Sequence, residues 1–373
     1  MAGVVVRGGR VLTPSGWRDA DVTVDSGIFA GIGGPDQLAA PAEAVYVDAA
    51  GCTVVPGFVD VHVHAAGGAW PRDVDSLRRM SSALARGGVT SFLLTTIAAP
   101  LDELAALVAL AAAAPDGGAR CLGVHLEGPW LSPAKSGAMP VDHFRDLDLA
   151  EVLALADNDV VRLVTLAPEL PGALDAIREL ARRGVSVALG HSDATYEVAM
   201  AAFDAGARHL THAGNAMSGL HHRDPGLLGA AIEFDAATLE VIADGVHVHP
   251  AFVRMLWRSV CAERLCLISD GVDGDPSGEL VRDGTVLRRP DGRLAGSALT
   301  LVDSIPLTAG WGIPLEQSVR MASTTPARVA GRDADLGVLQ PGAAADLVVL
   351  DADLQVRHTV VAGTLVHSVA DAC

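Results

Sequence analysis

Short apolar runs alternate with stretches of helical periodicity through the middle of the chain. Eight of these runs are strand candidates, at residues 58–63, 89–95, 121–126, 161–166, 185–189, 209–211, 239–243 and 265–269. Helical spacing of apolar residues follows at 75–86, 101–114, 173–183, 196–205 and 250–262. This alternation predicts an α/β protein, and eight strands are what a (β/α)8 TIM barrel requires. A doubly wound open sheet alternates in the same way, but no Gly-x-Gly-x-x-Gly follows the first strand, so a dinucleotide site is not indicated.

The two ends of the chain have a different sequence pattern, in which short predicted strands are separated by turn residues. Such patterns lie at 3–6, 21–24, 28–32 and 45–47, and again at 346–350 and 356–361. Neither group is large enough to bury a core alone, so we expect them to pair. The predicted organisation is a small discontinuous β domain formed by residues 1–53 and 341–373, and a barrel formed by residues 54–340.

Two segments depart from simple alternation. Residues 217–229 are predicted to form a long polar loop, and residues 273–297, rich in Gly, Asp and Arg, are predicted to form an inserted hairpin. In a barrel, both would lie on the face that carries the carboxyl ends of the strands, where active sites form.

Composition narrows the possible partners. The formal net charge is −18 and is spread along the chain, which argues against nucleic acid or an anionic membrane as the main partner. No apolar segment is long enough to span a bilayer, and the N-terminus lacks the pattern of a signal peptide, so a cytoplasmic protein is expected. The five cysteines include no Cys-x-x-Cys pair, and we expect them to be reduced thiols.

Histidines and a carboxylate stand at the ends of several predicted strands. His62 and His64 are two residues apart in the first strand, so their side chains point to the same face. Alone, this pair is better explained as polar positions of a half-buried strand. Glu127 ends the third strand, His191 follows the fifth and His212 follows the sixth, and each alone is typical of a structural residue. Their placement at one end of successive strands favours a shared site.

Imidazole and carboxylate groups without thiolate suit Zn²⁺, Fe²⁺, Mn²⁺ or Co²⁺, and such sites support hydrolysis. Asp270, after the eighth strand, is a candidate general base, although a helix cap or turn acid is an equally simple explanation when it is considered alone. His247, after the seventh strand, is a candidate for polarising a substrate carbonyl. His249, just before Pro250, is expected to be structural.

Five short motifs resemble those of the N-acetylglucosamine-6-phosphate deacetylases of the amidohydrolase superfamily. They are PGFVD at 56–60, HLEGP at 125–129, GHS at 190–192, TH at 211–212 with NAM at 215–217, and SD at 269–270. The resemblance runs over nearly the whole chain. It implies a (β/α)8 barrel with a small β domain built from both termini.

The resemblance also implies roles for the strand-end residues. Glu127, His191 and His212 would hold one divalent metal ion. Because His62 and His64 are retained, a second ion bridged through Glu127 is expected, with Asp270 near it. Asp270 would act first as base and then as acid toward the amine, and His247 would stabilise the oxyanion. The expected products are acetate and glucosamine 6-phosphate.

Substrate contacts follow from the same resemblance. The implied residues are Ala138, Asn215, Ala216, Arg223, His247, Ser297, Ala298 and Leu299. Arg223 is suited to phosphate and, in dimers of the family, reaches the neighbouring subunit's site, so a homodimer is expected. Met139 is a departure, because many members have a histidine there that helps to hold the substrate, and a thioether cannot donate a hydrogen bond.

Three alternatives stay open. The same chemistry could act on another N-acyl amino-sugar phosphate, such as N-acetylgalactosamine 6-phosphate, because the metal core does not specify ring stereochemistry. A non-catalytic barrel that binds a sugar phosphate is a second alternative. An aldolase or isomerase barrel is less well supported, because no lysine stands at a strand end.

Overall fold

A computed structural model describes residues 3–34, 37–41, 43–156, 158–274 and 278–369. The chain begins with five strands: β1 Val4–Thr13, β2 Gly16–Asp25, β3 Ile28–Gly33, β4 Val45–Asp48 and β5 Thr53–Pro56. β1 and β2 form an antiparallel hairpin longer than the sequence predicts, since pairing continues through polar positions that face solvent. Inward-facing valines, among them Val6 and Val22, form the core of this sheet.

Eight parallel strands with intervening helices follow. The strands are β6 Phe58–Ala65, β7 Val89–Thr95, β8 Arg120–Glu127, β9 Val161–Leu166, β10 Ser186–Leu189, β11 His209–Leu210, β12 Thr238–Ile242 and β13 Leu265–Ile268. The helices are α1 Val74–Arg86, α2 Leu101–Ala112, α3 Leu149–Ala156, α4 Ala173–Arg182, α5 Tyr196–Ala205, α6 Gly226–Glu233 and α7 Pro250–Arg264. All eight predicted strands are confirmed in position, whereas α3 and α6 were not predicted.

The segment after β13 joins the last strand of the barrel to the first. Asp270 N donates to His62 O at 2.9 Å, and Ser269 Oγ donates to Asp60 Oδ2 at 2.5 Å. The short strand β14 Gly271–Val272 then pairs in parallel with β6. The fold is therefore the predicted (β/α)8 barrel, and the open doubly wound sheet is excluded.

Beyond β14 the chain forms a small sheet extension and three further helices. The strands β15 Val281–Asp283, β16 Val286–Arg288 and β17 Leu294–Ser297 make up the predicted hairpin region, of which residues 275–277 lie outside the described ranges. The helices α8 Ser304–Gly310, α9 Leu315–Ala322 and α10 Thr324–Val329 were not predicted. The predicted loop at 217–229 is wrong at its end, because residues 226–229 begin α6, whose buried leucines pack on the barrel.

The C-terminal strands return to the first sheet. They are β18 Leu347–Leu350, β19 Val356–Val361 and β20 Thr364–Ser368, and the sheet order is β20-β19-β18-β5-β1-β2-β3, with β4 beside β1. Both ends of the chain thus build one sheet. β5 lies in this sheet through its pairing with β18, although the sequence analysis assigned Val54 onward to the barrel.

Two further expectations can be compared with the structure. Cys52 is disulfide-bonded, so the expectation of a reduced thiol there is wrong; spacing along the chain does not show which residues the fold brings together. Cys121, Cys261 and Cys266 are free, and Cys373 lies outside the described residues. Within the described ranges, no helix has the length and apolar character needed to cross a membrane.

Candidate metal centre

The strand ends bring the predicted ligands to one buried point on the barrel axis. Glu127 is the last residue of β8, and His191, His212 and Asp270 each stand two residues beyond the end of a strand. These last three have positive φ angles of 47°, 29° and 47°. Such backbone conformations are uncommon outside glycine and concentrate at functional sites, where surrounding structure maintains them.

One side of the centre consists of His191, His212 and the Oε1 atom of Glu127. The Nε2 atoms of the two histidines lie 3.1 and 3.0 Å from Oε1, and 3.2 Å from each other. His191 Nδ1 donates to the carbonyl oxygen of Lys135 at 2.9 Å, so in the neutral ring its Nε2 carries a lone pair. In that form, Nε2 of His191 is available as a metal ligand.

The other side consists of His62, His64, Asp270 and the Oε2 atom of Glu127. His62 Nε2 is 3.2 Å from Oε2 and 3.4 Å from Asp270 Oδ1, and His64 Nε2 is 3.4 and 3.2 Å from the same two atoms. Glu127 therefore bridges the two sides, with one oxygen directed toward each.

Glu240 supports both sides and was missed by the sequence analysis. Its Oε2 atom accepts from His62 Nδ1 at 2.9 Å and from His212 N at 3.1 Å, and its Oε1 lies 2.9 Å from His209 Nε2. Because Glu240 takes the Nδ1 proton of His62, the Nε2 atom of that ring is left to face the centre. The available signal was an acidic residue inside the apolar strand β12, where burial of a charge requires partners.

Electrostatics show that the centre attracts positive charge. Burial alone lowers the pKa of His62, but Glu127, then Glu240 and Asp270, raise it well above its usual range. Burial raises the pKa of Asp270, but the protonated His62 and the hydrogen bond from His64 bring it down to about 2. The pKa of Glu127 is likewise held well below its usual range, against burial, chiefly by His62. The carboxylates are thus ionised, and His62 compensates them by holding a proton.

The donor atoms of the centre are suited to a divalent cation. Among the described residues, three donor sets have ligand atoms within 4.8 Å of one another, and two of them share Glu127, one with His191 and His212 and the other with His62 and His64. Of these residues, His64, Glu127, His191 and His212 line the cavity. The donors are imidazole nitrogens and carboxylate oxygens, which suit Zn²⁺, Fe²⁺, Mn²⁺ or Co²⁺.

A cavity of about 290 Å³ opens above the centre. Its walls include the predicted residues Ala138, Asn215, Ala216 and His247. His247 Nδ1 lies 2.6 Å from Asp244 Oδ2, an arrangement that fixes the orientation of the ring.

Two further side chains in the cavity wall change its chemistry. Arg293 lies between β16 and β17 and donates to Gly137 O at 2.7 Å. It places a positively charged guanidinium in the cavity wall, which was not predicted from the sequence. Met139 is buried in an apolar cluster with Ala98 and Leu131, against which Ile97 also packs. The position expected to carry a polar histidine therefore contributes an apolar surface.

Four of the predicted substrate residues do not line this cavity in the part of the chain that is described. Ser297 N donates to Asp270 O at 2.9 Å and so holds the backbone of Asp270, and Ala298 and Leu299 follow Ser297 along the chain. Arg223 is exposed on the loop after β11, where its Nη1 lies 2.8 Å from His222 Nε2. Arg223 could therefore contact a substrate only from outside this cavity.

Comparison with known proteins extends the picture. A model of the amidohydrolase family matches residues 53–366. The chain is 40% identical to an N-acetylglucosamine-6-phosphate deacetylase of Vibrio furnissii, over 98% of this chain and 95% of that protein. It is also 40% identical to an N-acetylgalactosamine-6-phosphate deacetylase of Escherichia coli O157:H7, over 97% of this chain and 98% of that protein.

A solved structure has the same fold over the same length. It is a variant of N-acetyl-D-glucosamine-6-phosphate deacetylase from Mycobacterium smegmatis in complex with N-acetyl-D-glucosamine-6-phosphate. It is 34% identical, with a TM-score of 0.88, and the match covers 99% of this chain and 100% of that one. These similarities therefore extend over the barrel and the terminal sheet together.

Proposed function

The chain belongs to the amidohydrolase family and, within it, to the deacetylases of N-acetylated amino-sugar 6-phosphates, and we propose that its substrate is N-acetyl-D-glucosamine 6-phosphate. Hydrolysis of the acetamide gives glucosamine 6-phosphate and acetate. The observation that carries the proposal is the bridging position of Glu127, with His191 and His212 on one oxygen and His62 and His64 on the other.

In this proposal, Glu127, His191 and His212 hold one divalent cation, and His62, His64 and Asp270 with Glu127 hold a second. When bound, such a cation polarises the amide carbonyl and makes water a competent nucleophile at neutral pH. Zn²⁺ and Fe²⁺ are the proposed ions, and Mn²⁺ and Co²⁺ are alternatives.

Asp270 and His247 move and stabilise charge during the reaction. Asp270 is ionised and lines the cavity, so it can take a proton from the attacking water and pass it to the amine nitrogen. His247, held by Asp244, can donate a hydrogen bond to the carbonyl oxygen as negative charge develops.

The sugar phosphate is proposed to lie on the polar side of the cavity. Ala216 can offer its backbone amide there, whereas the backbone amide of Asn215 already donates to His212 O at 2.9 Å. Arg293 supplies a guanidinium in a protein of net charge −18. We further propose a cytoplasmic homodimer in which Arg223 reaches the partner's site. Light scattering of the purified protein, with and without Arg223→Glu, tests the dimer.

The test of the activity is acetate release from N-acetylglucosamine 6-phosphate by purified protein loaded with Zn²⁺, Fe²⁺ or Mn²⁺. Failure to release acetate with any of these ions would refute the proposal. A non-catalytic barrel would show the same failure, and protein purified without bound metal would favour that interpretation.

The galactosamine epimer is a second candidate, because one of the relatives at 40% identity is named for it. Rates measured on both epimers under the same conditions separate the two. A higher kcat/KM for N-acetylgalactosamine 6-phosphate would reassign the substrate.

A further inference from the structure

A second, larger cavity lies beside the metal centre. Its volume is about 690 Å³, and it shares Ile97, Ala138, Val272 and Ala295 with the cavity above the metal ligands. The two cavities therefore adjoin at these four residues. The proposed deacetylation of an acetyl group needs no space of this size, so the second cavity calls for an explanation.

Most of the second cavity's wall is apolar. Trp70, Leu107, Pro140 and Leu280 contribute large apolar surfaces, and charged groups such as Arg289 also line it. Trp70 connects this wall to the metal centre, because its ring is parallel to that of His64, with centroids 6.3 Å apart and 7° between the planes. We call this space the side cleft.

The metal cavity itself has a polar side and an apolar side. Arg293, Asn215 and His247 provide hydrogen-bond donors on the polar side, where the sugar hydroxyls and phosphate find partners. The apolar side, shared with the side cleft, continues into the buried cluster of Met139. That residue is where a histidine is common in the resembling family, so the apolar character of this side is a property of the present chain.

We propose that the side cleft binds the acyl chain of substrates whose N-acyl group is longer than acetyl. This inference rests on the proposed function, since it takes the amide of an amino-sugar 6-phosphate as the reacting group. With the carbonyl at the metal ligands and the sugar on the polar side, the acyl carbon points toward Val272 and Ile97. Each further methylene then extends into the side cleft.

An apolar group on the sugar's C1 atom is the competing occupant. Three bonds separate C1 from the carbonyl carbon, whereas the acyl chain is attached to that carbon directly. Val272 is only two residues beyond Asp270, the proposed base, so the opening of the side cleft lies next to the reacting carbon. The acyl chain is therefore the occupant that the geometry favours.

The first experiment compares N-acetyl, N-butanoyl and N-hexanoyl glucosamine 6-phosphate as substrates of the metal-loaded protein. Burial of each methylene strengthens binding by roughly fourfold, so KM is expected to fall along the series while the amide is still cleaved. A loss of kcat/KM of about a thousandfold or more from acetyl to hexanoyl, with the acetyl substrate turned over, would overturn the inference and leave the proposed function intact.

A variant of the side cleft makes the test specific. Ala106 lies on the exposed face of α2 and lines the side cleft but not the metal cavity, so Ala106→Trp should fill it. We expect the kcat/KM for the hexanoyl substrate to fall by about tenfold or more, and that for the acetyl substrate to stay within about twofold. Ala105→Trp, on the neighbouring exposed position of the same helix, is the matched control and should change neither.

Binding measurements test, without turnover, whether the side cleft binds the longer acyl chain. Calorimetry with metal-loaded Asp270→Asn protein should show N-hexanoyl glucosamine 6-phosphate binding more tightly than the N-acetyl form, and Ala106→Trp added to that variant should abolish the difference. Equal affinities would overturn the inference. The same measurement would be made with a hexyl glycoside of the N-acetyl substrate. If Ala106→Trp lowered the affinity for this glycoside but not for the hexanoyl amide, the inference would be overturned, and the C1 group would be the occupant of the side cleft.

Discussion

The two sides of the Glu127 centre are built differently. His191 and His212 stand on strand-end residues with positive φ angles, and Glu127 supplies their carboxylate oxygen. His62 and His64 lie within the regular strand β6 and face Asp270 as well as Glu127. Behind His62, a further carboxylate, Glu240, accepts its second ring proton.

This difference shows that carboxylates gather on one side of the centre, whereas positive φ angles occur on both, at His191 and His212 on one side and at Asp270 on the other. The side of His62 and His64 gathers negative charge on a rigid strand, which suits retention of a cation. The side of His191 and His212 lies on strained strand ends beside Asn215 and Ala216, where substrate is proposed to bind. We therefore assign the ion most needed for chemistry to His191 and His212, and the following predictions test that division.

The largest effect is expected from Glu127→Gln. Loss of the bridging carboxylate removes a ligand from both sides, so both ions should be lost and kcat should fall by about a thousandfold or more. Acetate release and metal content measure the two effects. Glu197→Gln, an exposed acid on α5, is the control and should change neither.

Asp270→Asn should lower kcat by about a hundredfold or more, because an amide cannot accept the proton of water. The cation held by His191 and His212 should be retained, which separates this variant from Glu127→Gln. Asp273→Asn, three residues further along, serves as the control. An Asp270→Asn protein with kcat near that of the wild type would show that another group is the base.

Glu240→Gln should weaken metal binding on the His62 side by roughly ten- to a hundredfold, since it removes the carboxylate that orients His62. Competition with a chromophoric chelator measures the two affinities. The affinity of the His191 side should change less, because Glu240 contacts His212 only through its backbone N–H. Equal losses on both sides would show that Glu240 does not distinguish them.

Chelation should lower the stability of the fold. A cation present at a hundred times its Kd stabilises the fold by about 2.7 kcal/mol, so its removal should lower the Tm. Differential scanning calorimetry before and after treatment with a chelator, followed by restoration with Zn²⁺, measures the change. If the Tm changed neither on chelation nor on restoration of Zn²⁺, the residues of the metal centre would not hold the ion.

The sequence predicts the barrel and the strand-end ligands because both depend on local order along the chain. Strand–helix alternation predicts parallel strands, and parallel strands present their carboxyl ends together, so His191, His212 and Asp270 could be assigned to one site. Pairing of the two ends of the chain followed from the same kind of pattern.

Features that depend on packing between distant segments were not predictable in this way. Glu240 is a single acid in an apolar strand, and its partners His62 and His209 come from two other strands. Arg293 enters the cavity because the hairpin folds over the barrel mouth. The side cleft exists for the same reason, since its walls combine the loop at Trp70, helix α2 and the hairpin.

Metal content measured on samples of known activity tests the central claim most directly. Elemental analysis and acetate release would be measured on the wild type, His62→Ala and His191→Ala, each loaded with Zn²⁺. We predict two equivalents in the wild type, one in His62→Ala, and one, with no acetate release, in His191→Ala. Full metal content and full activity in His191→Ala would contradict the assignment of the catalytic ion to Glu127, His191 and His212.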